Sequence, residues 1–207
     1  MKKNIEDVYK LSPVQQGILF HTLKEPEGGA YHDQFSLPLE EQLDAGAFRR
    51  AWQQAVERTP VLRTFFLWQD LDEPVQVVAK SVHVPFEEHD LSALAPEAQR
   101  QRIDRYMEED RRRGFELSRP PLSRLALFRL SPTSWRLVWS YHHLLLDGWS
   151  AGLMLQEVTS LYAAAVAGSE PMLPPRRPFK ELIAWLRRQD PKRSEQYWRD
   201  ALARKQS

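Results

Sequence analysis

The sequence predicts an α+β domain, and three features carry that prediction. Stretches with strand alternation and stretches with helical spacing interleave without the regular strand–helix–strand repeat of a parallel α/β sheet. The two strongest apolar runs, residues 122–130 and 135–141, are parted only by Ser131-Pro132-Thr133-Ser134, which is hairpin spacing. Helix ends carry their own chemistry, with Ser12-Pro13 and Asp44 at starts and Gly114 and Gly168 at stops.

Taken in order, Ser12-Pro13 opens a helix through residue 24, with Val14, Ile18, Leu19 and Leu23 at helical spacing. Pro26-Glu27-Gly28-Gly29 breaks it. Residues 31–39 alternate as a strand. Asp44 caps a second helix that carries Phe48, Trp52, Ala55 and Val56, and Pro60 ends it. Residues 61–68 read as a strand, followed by the turn Asp70-Leu71-Asp72-Glu73-Pro74 and short strands at 75–78 and 82–86. Residues 96–113 form a charged helix whose apolar stripe is Ile103, Tyr106 and Met107. After the hairpin, Asp147-Gly148 turns the chain into a helix over 150–167. A proline-rich connector, residues 171–178, leads to a helix with Phe179, Leu182, Ile183 and Leu186. Pro191 starts the last helix, which holds Tyr197, Trp198 and Leu202.

Bulk properties narrow the function classes. An apolar share of 42% in 207 residues supports a real core, and 28% charged residues is ordinary. The chain has no cysteine, which excludes disulfides and thiolate metal sites and suits a cytoplasmic protein. No apolar run reaches the roughly 20 residues that span a bilayer, and the first residues lack a secretory signal, so no membrane partner is expected. A net charge of +1 argues against a nucleic-acid binder. Residues 174–207 nevertheless carry ten Lys/Arg and four Asp/Glu, a net +6. That excess is either the solvated outer face of two helices or a docking surface for an acidic partner.

The chemistry is concentrated in His142-His143-Leu144-Leu145-Leu146-Asp147-Gly148, just after the apolar strand. Histidine alone has an unperturbed side-chain pKa near neutrality, about 6.5, so an imidazole at a strand end can move protons for a substrate arriving from solvent. Strand alternation places His143 on the face of Trp135, Leu137, Trp139 and Tyr141, and His142 with Arg136, Val138 and Ser140. The two rings therefore point apart and cannot share one role. The same geometry argues against a metal pair, and no third ligand stands at a recognisable spacing. Asp147-Gly148 reads as an N-cap followed by a glycine with positive φ, or as an acid that orients the histidine or fixes the loop. No Gly-x-Ser-x-Gly elbow or P-loop supports serine acyl transfer or phosphoryl transfer.

The segment 142–148 resembles the HHxxxDG motif of nonribosomal peptide synthetase condensation domains, shared with chloramphenicol acetyltransferase and related acyltransferases. Three other segments agree in order and spacing. Residues 9–21, YKLSPVQQGILFH, resemble the family's opening "YPLSPxQxGxLFH". Residues 58–66, RTPVLRTFF, resemble "RHxxLRTxF". Asp147-Gly148-Trp149-Ser150 follows the condensation pattern rather than the Val-Ser-Trp common in epimerization domains. Heterocyclization domains carry aspartates in place of the two histidines. Lys10 and Thr59 depart from the usual Pro and His, at positions without chemistry.

The resemblance implies a chloramphenicol acetyltransferase-like lobe, a mixed, mostly antiparallel sheet flanked by helices. It matches residues 1–207 to the N-terminal lobe only, with the second lobe absent, so this lobe alone is expected to be inactive. It implies an acyltransferase of antibiotic or other secondary-metabolite synthesis that forms an amide between an upstream acyl or peptidyl thioester and a downstream aminoacyl thioester. Both arrive on phosphopantetheine arms of carrier domains, with no directly bound cofactor and no metal. By motif position His143 is the catalytic residue, as general base or as an amine-positioning group. His142, Asp147, Gly148 and Arg63 support it. The resemblance pairs Asp147 with Arg63, so that losing Asp147 would unfold the chain, and has Gly148 keep the backbone close to the substrate channel. An epimerase-like or free-standing acyltransferase, or a non-catalytic recruiting domain, remain the alternatives. A start at Met1 would place this lobe first in a synthetase, with residues 1–10 docking a donor carrier on another protein; a piece of a longer chain fits equally well.

Overall fold

A computed structural model describes residues 4–25 and 29–203 of the chain. The expected break at 26–28 and the first three residues of the docking segment lie outside them. The chain divides into two compact units after Arg176. The first unit holds β1 (Ile5–Lys10), α1 (Pro13–Lys24), β2 (His32–Leu39), α2 (Ala45–Arg58), β3 (Thr64–Leu67), β4 (Val75–Ala79), β5 (Phe86–Asp90), α3 (Pro96–Arg113), β6 (Ser123–Arg129), β7 (Trp135–His142) and α4 (Gly148–Ala167). The second holds α5 (Phe179–Leu186) and α6 (Pro191–Ala203). Residues 169–178 have no regular structure.

The strands form two sheets. One has the order β1-β4-β3, all antiparallel. The other has the order β2-β7-β6-β5 and is antiparallel except for β5, which runs parallel to β6. The larger sheet is covered on both faces, and alternation along β6 and β7 shows it. Leu125, Leu127, Leu137, Trp139 and Tyr141 join Phe48 and Trp52 of α2 and Met154, Val158 and Leu161 of α4 in the main core. Ala126, Phe128 and Val138 point the other way, onto Ile103, Tyr106 and Met107 of α3. Burial on both faces is why these two strands read as near-continuous apolar runs. Trp139 is fully buried, and its indole N–H donates to Ser123 Oγ at 3.0 Å.

The cap chemistry is as the sequence predicts. Ser12 and Gln15 form a reciprocal capping box on α1, Asp44 caps α2, and Gly168 closes α4 at φ 64. Two predicted strands are corrected. Pro60–Arg63 is a short 3₁₀ helix because Pro60 sets a helical first residue and Thr64 Oγ1 donates back to the Pro60 carbonyl at 3.0 Å. Residues 82–85 are not a strand, although Val82 and Val84 are buried. Gln53 of α2 takes the place of a neighbouring strand, donating to the Val82 carbonyl at 2.9 Å and accepting from the Val84 N–H at 3.2 Å. β1 and β5 were not expected.

Candidate active site

The site is built where β7 ends against β2. His142 is the last residue of the strand, and His143 is the first of the turn that follows. The His143 N–H donates to the Tyr31 carbonyl at 2.9 Å, and the Leu145 N–H to the His142 carbonyl at 2.9 Å, so the turn is pinned at both residues. Pairing sets Asp33 opposite Tyr141 and His32 opposite His142. Opposed residues share a face. His143 therefore lies with Asp33 and Tyr141, and its Nδ1 is 2.6 Å from Asp33 Oδ2. The two side chains are 36% and 34% exposed, so the ring is reachable from solvent. The Tyr141 phenol is pushed up by burial first, then by the Asp33 charge and a hydrogen bond to Asp33.

His142 lies on the opposite face and is buried. Its Nδ1 accepts the Leu144 N–H at 3.2 Å, and its Nε2 faces Thr22 Oγ1 at 3.5 Å. Burial, with smaller contributions from His32 and His143, lowers its pKa to about 4. A cavity of about 270 Å³ opens beside it, lined by Thr22, Tyr31, His32, Arg111 and Phe115 among others. His143 does not line that cavity. Burial keeps the His142 ring neutral at ordinary pH, and both of its nitrogens face partners within this unit.

The expected pairing of Arg63 with Asp147 is not found and is corrected here. Arg63 is buried and donates to the carbonyls of Ala79 and Lys80 and to Glu6 Oε2, the last at 2.6 Å. Asp147 is exposed and caps α4, accepting the Ser150 N–H at 2.8 Å. That bond is the first cause of its lowered pKa; the charge of His143 is a smaller one. Each group already has local partners, so neither needs the other. The glycine reading changes as well. Gly148 is the first helical residue, its φ is not left-handed, and a Cβ there would meet nothing within 4 Å.

Two supporting residues escaped the sequence reading. Asp33 lay unmarked inside a predicted strand, and only the β2–β7 register brings it beside His143. Gln15 stood in a quoted motif without an assignment. Its Nε2 donates to the Leu144 carbonyl at 3.1 Å while its amide pairs with buried Gln76, tying α1 and β4 to the histidine turn.

The site thus presents an accessible imidazole beside a carboxylate at the end of a sheet flanked by helices, an arrangement able to accept and release a proton. The family model described as "Condensation domain" matches residues 5–207. One of the linear gramicidin synthase proteins of Brevibacillus parabrevis is 48% identical over 198 residues, covering 96% of this chain and 4% of that protein. Surfactin synthase subunit 3 of Bacillus subtilis is 37% identical over 201 residues, covering 97% and 16%. Among solved structures, the starter condensation domain of rhizomide synthetase superposes with a TM-score of 0.77 at 24% identity, over 86% of this chain and 44% of that one. A structure of a doubly substituted mutant of that domain, in complex with C8-CoA and Leu-SNAC, gives 0.85 at 23% identity, over 95% and 45%. The chain belongs to the condensation domain family. It spans a small part of the curated relatives and less than half of these solved domains.

Proposed function

We propose that this chain is the N-terminal lobe of a condensation domain acting in nonribosomal peptide synthesis. Completed by its second lobe, it joins an upstream acyl or peptidyl thioester to the amine of a downstream aminoacyl thioester. Carrier domains deliver both on phosphopantetheine arms. The observation that carries this reading is His143: half-exposed, tied through Nδ1 to Asp33, with Nε2 left to meet an amine. As the C–N bond forms, the amine proton passes to Nε2, the C–S bond breaks, and the proton ends on the released thiol. A general base of this kind contributes roughly 10²–10⁴-fold, and holding two thioesters in register supplies several kcal/mol more. The pair C8-CoA and Leu-SNAC held by the doubly substituted mutant of the rhizomide synthetase domain, an acyl thioester and an aminoacyl thioester, supports the substrate class.

The test mixes the domain, extended through its second lobe, with an acyl-loaded upstream carrier and an aminoacyl-loaded downstream carrier, and follows intact carrier masses. The acyl mass is expected on the downstream carrier with His143 present and not with His143→Ala. Transfer that persists in His143→Ala removes that residue from the mechanism. No transfer with either protein across several donors favours a recruiting domain.

A further inference from the structure

Building on the assignment of His143 above, we propose that Asp33 is a positioning residue: its carboxylate fixes the His143 tautomer and leaves Nε2 as a bare acceptor for the amine. An ionised carboxylate has no proton to give. At 2.6 Å the proton of the Asp33–His143 bond therefore sits on Nδ1. A neutral imidazole carries a single N–H, so Nε2 keeps its lone pair. When that nitrogen takes the amine proton, the ring becomes a cation with Asp33 already in contact, and the carboxylate holds the charge without moving.

Asp33 also accepts a hydrogen bond from the buried Tyr141 phenol, a contact between β2 and β7 that leaves the anchoring of the histidine turn to other groups. Among the described residues it has no arginine or lysine partner. The turn is secured without it, by the Tyr31 carbonyl on the His143 N–H and by Gln15 on the Leu144 carbonyl. Its place follows from strand register. Asp33 stands opposite Tyr141, two residues before His143, and its side chain reaches past the end of β7 to the first turn residue. The other groups that face His143 are Tyr141 of β7, hydrogen-bonded to the same carboxylate, Tyr31 and His142 from the flanking backbone, and Asp147 from the start of α4. None of these is hydrogen-bonded to the His143 ring among the described residues.

The test reads the tautomer directly. Imidazole ¹⁵N–¹H correlations are recorded on this chain at alkaline pH, with the His143 signals assigned by their loss in His143→Ala. Wild type is expected to show the Nδ1–H form. Asp33→Ala is expected to shift His143 toward the Nε2–H form while His142 stays unchanged, which also reports an intact fold. An Nε2–H form in wild type, or an unchanged tautomer in Asp33→Ala, overturns the proposal. In the two-lobe domain, Asp33→Ala should lower kcat about 10²-fold, the low end of a general-base contribution. KM for the acceptor should stay within about twofold, since ground-state binding is untouched. Asp33→Glu should restore part of kcat; equal loss in both variants counts against a carboxylate role. If His143→Ala still transfers, the assignment of His143 fails while the tautomer result stands. If His143→Ala is dead and the tautomer ignores Asp33, this proposal fails alone.

Discussion

Asp147 receives the Ser150 N–H at 2.8 Å and lies in solvent, so its structural weight is that of a helix cap. Arg63 is of a different kind. It is buried, and one of its terminal nitrogens reaches two carbonyls at the end of β4 as well as Glu6. Losing a cap costs about 0.5–2 kcal/mol. Hydrogen bonds from a charged donor are worth about 1.5–3 kcal/mol each, whereas the half-exposed Glu6 pair adds little. Asp147→Ala should therefore remain soluble with a midpoint only slightly lowered in urea, and Asp147→Asn, which keeps the cap, should match wild type. Arg63→Met should lose about 3 kcal/mol, from the two orphaned carbonyls and the poorer fit. A larger loss from Asp147→Ala than from Arg63→Met would restore the buried-pair reading that the geometry has displaced. The motif Asp was legible as a cap from its place before the helix. Its supposed arginine partner was not legible, because sequence spacing does not reveal which local carbonyls an arginine will find first.

At the scale of elements, α3 is held to the sheet by one carboxylate as much as by its apolar stripe. Asp110 is buried and accepts from His32 of β2 at 3.2 Å, Gln34 at 2.8 Å, Ser140 of β7 at 2.6 Å, and Arg113 and Arg124. Burial alone would raise its pKa, but these donors together hold it far below the usual carboxylate range. An acid depressed in the fold stabilises fully above its unfolded value of about 3.9 and loses that contribution as pH falls below it. Chemical denaturation of wild type should therefore show stability falling steeply below about pH 4, and Asp110→Asn should flatten that limb. Asp110→Ala, which strands Arg124 and His32, should cost about 3–5 kcal/mol at neutral pH. A variant as stable as wild type would mean that the apolar stripe alone holds α3. The sequence announced α3 through Ile103, Tyr106 and Met107 but hid the polar clamp, whose parts come from four separate elements. The same logic explains β5. Its run Phe86-Glu87-Glu88-His89-Asp90 has poor strand propensity and is a strand only because β6 offers it a parallel edge. β1, with Glu6, Asp7 and Lys10, likewise exists through its pairing with β4.

For the molecule as a whole, the helices, the hairpin and the α+β class were legible because capping and periodicity are local. Register was not, and register is what brings Asp33 to His143. What remains exposed also carries meaning. Trp149 is 81% exposed at the start of α4, and Val14 and Phe20 of α1 are exposed at 71% and 63%. Beside Trp149, Gly148 has open space where a side chain would go and an ordinary helical backbone. Nothing among the described residues therefore requires a glycine. On the proposed function, the groups that approach the start of α4 in the assembled domain are the second lobe and the substrate arms. Gly148→Ala should leave the stability of this chain unchanged or raised by less than about 1 kcal/mol, because alanine narrows the unfolded ensemble. In the two-lobe domain the same change should slow acyl transfer between carriers, and Gly148→Val should slow it further. Full transfer by Gly148→Val would show that no group needs to approach this backbone, and would move the substrate path away from the start of α4.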